Sequence, residues 1–287
     1  MKKLFLILIL LLVFCVGCSR QAEADIVAST LPVYEFTSML CEGTDITVSR
    51  LVTEEVSCLH DYTLQVSQMQ AIESATLVIL NGAGLEDFLE EALKSAKWVA
   101  DASEGLELVC GEHHEDHDGH HHEFDPHIWL SPILAKQMCQ NICRELAAVY
   151  PSYKAQFEAN LSVLLDKLDA LQIYGETELK DLKTREIITF HDGFGYFAAS
   201  FDLHILKAME EESGSEASAK ELIEMIDIVK QHRLPAIFTE ENGSASAAKI
   251  IAAETGSKVF SLDMAIAGDS YFDAMYHNIR TVKEALE

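Results

Sequence analysis

One segment constrains the fold more than any other. From Pro151 to about Lys180, Phe157, Leu161, Leu164, Leu168 and Leu171 recur at intervals of three and four. That is the repeat of a single long amphipathic helix with proline at its start. On both sides of it, short β-branched runs alternate with helical patterns. Strands are expected at Asp25–Thr30, Ile46–Val52 and Thr76–Leu80 before it, and at Glu186–Phe190, Ala236–Thr239 and Lys258–Leu262 after it. Helices are expected at Leu31–Cys41, Thr63–Ile72 and Leu85–Ala96, then at Ser218 to about His232, near Ala245–Thr255, and at Tyr271–Leu286. Ser218-Ala219-Lys220-Glu221 reads as a capping box. Alternation of this kind gives parallel sheets covered by helices. The expected class is α/β: two lobes, each with a mostly parallel sheet flanked by helices, joined by one long rigid helix. The N-terminal lobe is placed at 19–150, the linking helix at 151–182 and the C-terminal lobe at 183–287. A helix of that length opposes wide hinge closure, so only small lobe tilts are expected.

The first residues read as an address. Met1-Lys2-Lys3 precedes an apolar run, Leu4–Gly17, of 14 residues. This is short for a bilayer span and suited to a signal peptide. Gly17-Cys18 before a polar stretch is similar to a lipobox, which makes 1–18 a lipoprotein signal peptide with Cys18 as the lipidated residue. The chain is then exported and anchored by lipid to the outer face of the cytoplasmic membrane. Past the signal, five cysteines remain: Cys41, Cys58, Cys110, Cys139 and Cys143. An odd number leaves at least one thiol without an intramolecular partner. Cys139 and Cys143 share one helix face and are expected in the core, and Cys41–Cys58 is an open possibility for a bridge.

Lys plus Arg number 21 and Asp plus Glu 47, a formal charge of −26. So acidic a chain repels phosphate backbones, which argues against nucleic acid as a partner. It attracts cations, and the histidines say which kind. His113, His114, His117, His120, His121 and His122 crowd one acidic run within residues 112–123, half of the chain's 12 histidines. Neutral imidazoles beside carboxylates suit borderline cations such as Zn²⁺. With no apolar residue from His113 to His122, this run is expected to be an accessory metal-binding loop of looser affinity than a rigid site.

Three other histidines stand in peptides shaped like site peptides. They are His60 in Leu59-His60-Asp61-Tyr62, His127 in Asp125-Pro126-His127-Ile128-Trp129-Leu130, and His191 in Phe190-His191-Asp192-Gly193-Phe194-Gly195. Asp263 follows the strand Lys258–Leu262. Ligands in α/β sheets gather beyond the carboxyl ends of strands, where these residues fall. Three imidazoles and a carboxylate suit four-coordinate Zn²⁺. Asp61, Asp125 and Asp192 are candidates to hold the other ring nitrogens, and Trp129 can pack beneath His127. His204, His232 and His277 sit in ordinary strand or helix patterns and read as structural.

Together these peptides resemble the ZnuA/AdcA-like solute-binding proteins of bacterial zinc and manganese ABC importers, of the cluster A-I type. His60-Asp61-Tyr62, Asp125-Pro126-His127-Ile128-Trp129-Leu130-Ser131-Pro132 and Phe190-His191-Asp192-Gly193-Phe194-Gly195-Tyr196-Phe197 are similar to the family's ligand motifs. Asp263 stands at the fourth ligand position, upstream of Gly268-Asp269-Ser270-Tyr271. Position 131 is serine where the family pattern has aspartate. The resemblance implies metal held in the interlobe cleft by His60, His127, His191 and Asp263. It implies no enzyme. It implies an extracytoplasmic, high-affinity zinc-binding protein that captures Zn²⁺ and hands it to an ABC transporter permease driven by its ATPase.

Manganese members tend to carry a carboxylate where this chain has His191, and three imidazoles favour Zn²⁺ over Mn²⁺. A manganese-binding homologue, a surface metal buffer or an adhesin are the alternatives. A zinc hydrolase could draw a base from Glu240 or Glu241, but four ligands leave no open position and no HExxH motif exists. Cys58, beside His60, is expected to pack and not to ligate.

Overall fold

A computed structural model describes residues 24–54, 59, 62–109, 124–209 and 218–287. His60, Asp61, Cys58, Cys110, Cys18 and the histidine run lie outside them.

The first half contains β1 (Ile26–Ala28), α1 (Leu31–Leu40), β2 (Val48–Arg50), α2 (Val66–Ser74), β3 (Leu77–Leu80), α3 (Glu90–Leu93), β4 (Val99–Asp101) and α4 (Pro132–Val149). Its sheet is all parallel in the order β2-β1-β3-β4. After a short 3₁₀ turn at Pro151–Tyr153 comes α5 (Lys154–Glu178), 25 residues and about 37 Å long at 1.5 Å per residue. The second half contains β5 (Glu186–Thr189), α6 (Gly195–Ser200), β6 (His204–Ala208), α7 (Ala219–His232), β7 (Ala236–Glu240), α8 (Ser246–Thr255), β8 (Lys258–Leu262) and α9 (Tyr271–Leu286). Its sheet repeats the first in the order β6-β5-β7-β8, again parallel.

The helices form where the sequence calls for them. Pro32 and Pro132 occupy the first turns of α1 and α4, where a missing N–H costs nothing. Ser218 and Glu221 close the capping box of α7, and Ser270 caps α9 through Asp273 N–H. Phe157, Leu164, Leu168 and Leu171 of α5 are fully buried. Gly175 continues that stripe because the Phe201 ring lies where its Cβ would be, 2.1 Å away. The expected helix at Leu85–Ala96 is shorter and tighter. It is a 3₁₀ turn at Asp87–Leu89 running into the single turn of α3, because Asp87 and Leu89 N–H bond three residues back to Gly84 and Glu86. The short edge strand β4 was not legible in the sequence.

One apolar core runs through both halves. It includes Ile26, Phe36, Trp129, Leu130, Met138, Phe157, Leu168, Phe197, Phe238, Tyr271 and Ile279. Smaller clusters cover the outer faces, around Val27, Leu51, Ile72 and Val78 on the first sheet and Ile188, Met225, Val229 and Ile237 on the second. A shared core resists being pulled apart, which is a stronger restraint on lobe motion than the long helix alone. Cys139 and Cys143 lie in this core as expected. Cys41 is a buried free thiol as well, and burial pushes it up to about 12. The possible Cys41–Cys58 bridge involves a residue outside the described ones. Among the described residues, no helix is long and apolar enough to cross a membrane.

Candidate metal centre

Both sheets change winding direction between their two central strands, β1/β3 in the first and β5/β7 in the second. Such switch points open a crevice at the carboxyl ends of the strands. In the second sheet the crevice holds His191, two residues beyond β5, and Glu240, the last residue of β7. Thr189 and Phe238 are register partners, and two residues further along each strand stand His191 and Glu240. Glu240 Oε1 lies 2.7 Å from His191 Nδ1, with only 7% of its side chain exposed. Thr189 Oγ1 donates to the His191 carbonyl at 3.0 Å and pins the backbone there.

His127 reaches the same place from the first half. It sits at the entrance to a 3₁₀ turn, Ile128–Leu130. The Asp125 carboxylate accepts its backbone N–H at 2.9 Å and meets its Nδ1 at 2.7 Å. Tyr196 Oη donates to the Asp125 carbonyl at 3.1 Å, so a residue of the second half helps to fix this loop. Trp129 is fully buried, its ring centroid 5.3 Å from that of His127.

These two arrangements aim the histidines at each other. With each Nδ1–H donated to a carboxylate, each Nε2 turns its lone pair toward the other ring. The two Nε2 atoms are 3.2 Å apart and the rings are perpendicular. Two lone pairs at that distance repel unless a cation lies between them. Two nitrogens at 2.0–2.1 Å from a tetrahedral zinc would be about 3.3 Å apart. The pair is thus spaced to clip one ion, and the rings are recessed, with 12% and 22% of their side chains exposed.

Asp263 follows β8 as expected and heads a strap that crosses between the halves. Asn278 of α9, fully buried, accepts its N–H at 2.8 Å and donates to its carbonyl at 2.7 Å. Its own Oδ1 accepts from Ala265 N–H at 2.7 Å, at a residue held in the left-handed region (φ +53°). Trp129 Nε1 donates to the Met264 carbonyl at 2.7 Å, and Leu31 N–H to that of Ile266 at 3.2 Å. A Cβ on Gly193 would lie 2.5 Å from the His191 ring and 2.8 Å from the Met264 methyl, so the strap abuts the histidine turn. Among the described residues, no group of three or more His, Cys, Asp or Glu forms a ready cage. His127 and His191 are brought together, and Asp263 stands on the adjoining strap.

Asp192 was one candidate to hold the second nitrogen of His191; the Nδ1 atom meets Glu240, which the sequence reading did not name for that role. The same finding recasts Glu240, considered as a hydrolytic base, as a carboxylate already committed to orienting a ring. The signal was available in part: Glu240 ends a strand that neighbours the strand ending before His191. Ser131, where the family pattern has aspartate, caps α4 at Leu134 N–H and receives the Ser200 hydroxyl at 2.8 Å. The remaining histidines pair with surface carboxylates, His232 with Glu186 at 3.0 Å and His277 with Glu241 at 3.3 Å, in keeping with structural roles. His204 is exposed on β6.

Residues 26–285 match the profile of a family described as zinc-uptake complex component A, periplasmic. The chain is 32% identical to the zinc-binding lipoprotein AdcA of Streptococcus pneumoniae serotype 4 across its whole length, and it spans 62% of that longer relative. It is 30% identical to the high-affinity zinc uptake system protein ZnuA of Bacillus subtilis, over 96% of this chain and 94% of the relative. A crystal structure of ZnuA superposes on 92% of the chain and 100% of its own with a TM-score of 0.79 at 31% identity.

Proposed function

The chain belongs to the ZnuA family, and from that premise we propose that it is the extracytoplasmic zinc-binding component of an ABC importer. It captures Zn²⁺ in the cleft between two α/β lobes and delivers it to the permease and its ATPase. It is a carrier and not an enzyme. Zn²⁺ is its cargo, ligated by His127 and His191 with His60 and Asp263 completing the set. The histidine run at 112–123 serves as an accessory collector, and the lipid on Cys18 tethers the chain to the outer face of the membrane. The lobes are taken as 19–150 and 183–287, with 151–182 linking them.

The observation that carries this reading is the facing Nε2 pair, 3.2 Å apart, with each Nδ1 on its own carboxylate. Neutral imidazoles held in this way favour zinc over manganese, which prefers more oxygen and a higher coordination number. The test is a competition titration of the metal-stripped chain lacking residues 112–123 against a chelator of known zinc affinity. One tight zinc equivalent that excess Mn²⁺ does not displace is the expected result. Absence of a tight site, or preference for Mn²⁺, would sink the proposal.

Removing the carboxylate behind a ligating imidazole typically lowers metal affinity about 10- to 100-fold. The Glu240→Gln variant is therefore expected to keep the one-to-one stoichiometry while binding zinc at least roughly tenfold more weakly. Unchanged affinity would mean that the His191 ring is oriented by something else.

A further inference from the structure

The first sheet's switch point carries a buried carboxylate that the zinc site does not touch. Glu86 is only 5% exposed. Its Oε1 accepts from Ser29 Oγ at 2.6 Å and Asn81 N–H at 2.8 Å, and its Oε2 accepts from Gly82 N–H at 3.0 Å. Burial, against the lowering pull of those three hydrogen bonds and with a small push from the like-charged Asp101, raises the carboxyl to about 7. Among the described residues no ion pair serves Glu86, and a carboxyl group buried in this way beside a crevice is costly enough to point to a role.

The bonds of its neighbours lead to the site. Asn81 is fully buried, and its Nδ2 donates to the Gly82 carbonyl and to the Pro126 carbonyl, both at 3.0 Å. Its Oδ1 has no partner among the described residues, so those two donated bonds alone orient the amide. Pro126 immediately precedes His127. The turn that presents Asn81 is held in an unusual backbone state: Gly82, Ala83 and Gly84 all have positive φ, at 84°, 55° and 85°. A Cβ at Gly82 would lie 1.8 Å from Asp101 Oδ1. Alanine visits that region rarely, so the surroundings must hold it there. Glu86 accepts two successive N–H groups at the start of this turn, and Ser103 Oγ accepts that of Ala83 at 2.9 Å.

We propose that Glu86 is a positioning residue for zinc: it locks the Asn81–Gly84 turn so that Asn81 holds the Pro126 carbonyl, which sets where His127 Nε2 stands. The inference rests on the reading of His127 and His191 as zinc ligands. A carboxylate is suited to the task because two acceptor oxygens meet three donors. Glutamine would turn an NH₂ group against one of those donors and unseat the turn.

The test uses the full chain, stripped of metal and titrated with Zn²⁺ against a chelator, together with the visible spectrum of the Co²⁺ form. Glu86→Gln and Asn81→Ala are each expected to weaken the tight site about tenfold and to shift the Co²⁺ bands. The double variant should be no weaker than Asn81→Ala alone, since both act through one path. A lowered apo melting temperature with unchanged affinity and spectrum would make Glu86 merely structural and overturn the proposal. If Glu86→Gln fails to fold, Asn81→Ala decides: it leaves the acceptors of Glu86 occupied, so wild-type affinity in that variant overturns the path to His127, and a tenfold loss supports it. No tight site in the unmodified chain would refute the zinc reading itself, a result distinct from either.

Discussion

Alanine at position 191 is expected to abolish tight zinc binding while leaving the fold intact. The His191 side chain is recessed in the crevice but partly exposed, and its packing role is small beside its polar one. Fully coordinated zinc sites in proteins are worth about 10–16 kcal/mol, or roughly 2.5–4 kcal/mol per ligand in a four-coordinate set. Losing one ligand should therefore weaken zinc binding by about 10²–10³-fold. A second penalty follows, because Glu240 loses the ring it holds and is left largely buried. The thermal readout is equally direct. Zinc that binds only the folded chain raises its melting temperature by mass action, and this rise should vanish in His191→Ala, whose apo form is lowered only by the unpaired Glu240, at a cost of about 1–3 kcal/mol. A variant that still binds one zinc at parental affinity would show that His191 is not a ligand.

The second large effect is on stability and falls at Trp129. The side chain is fully buried, and the residue is tied twice to the second half. Its Nε1 donates to the Met264 carbonyl at 2.7 Å, and its own carbonyl accepts from Tyr271 Oη at 2.8 Å. Truncating a buried tryptophan to alanine costs about 3–5 kcal/mol, a large share of a net stability of roughly 5–15 kcal/mol. Trp129→Ala should fall in that range by denaturant unfolding. Trp129→Phe keeps most of the packing and strands the Met264 carbonyl, at a cost of about 1–3 kcal/mol. Because that carbonyl belongs to the strap headed by Asp263, the phenylalanine variant should also bind zinc more weakly. Equal stability of Trp129→Phe and the parent would show that the interlobe hydrogen bond contributes nothing.

Much of the architecture was legible before any coordinates. The stripe Phe157–Leu171 announced α5, because a repeat of three and four can bury only one helical face. Pro151 and the Ser218–Glu221 box mark helix starts by backbone chemistry that does not depend on the rest of the fold. Strand ends read at Phe190 and Leu262 placed His191 and Asp263 near a crevice. The failures have local causes. The Leu85–Ala96 pattern looked helical, but its first turn is drawn into a 3₁₀ geometry by the preceding Gly82–Gly84 bend. Three residues at Val99–Asp101 are too few to show any periodicity.

The sequence by itself determined the class of fold, the kind of ion its histidines can bind, and which loops carry His127 and His191, since each follows from residue chemistry and short-range pattern. Tertiary structure alone decided which groups meet. Glu240 stands beside His191 because the β5–α6–β6–α7–β7 winding makes β7 the neighbour of β5. Glu86 governs Asn81 because their turn folds back on itself, and Trp129 clasps Met264 because one core joins the two halves. Periodicity records which face of an element is buried. It does not record which element will cover that face, and that choice is made by crossover topology and long-range packing.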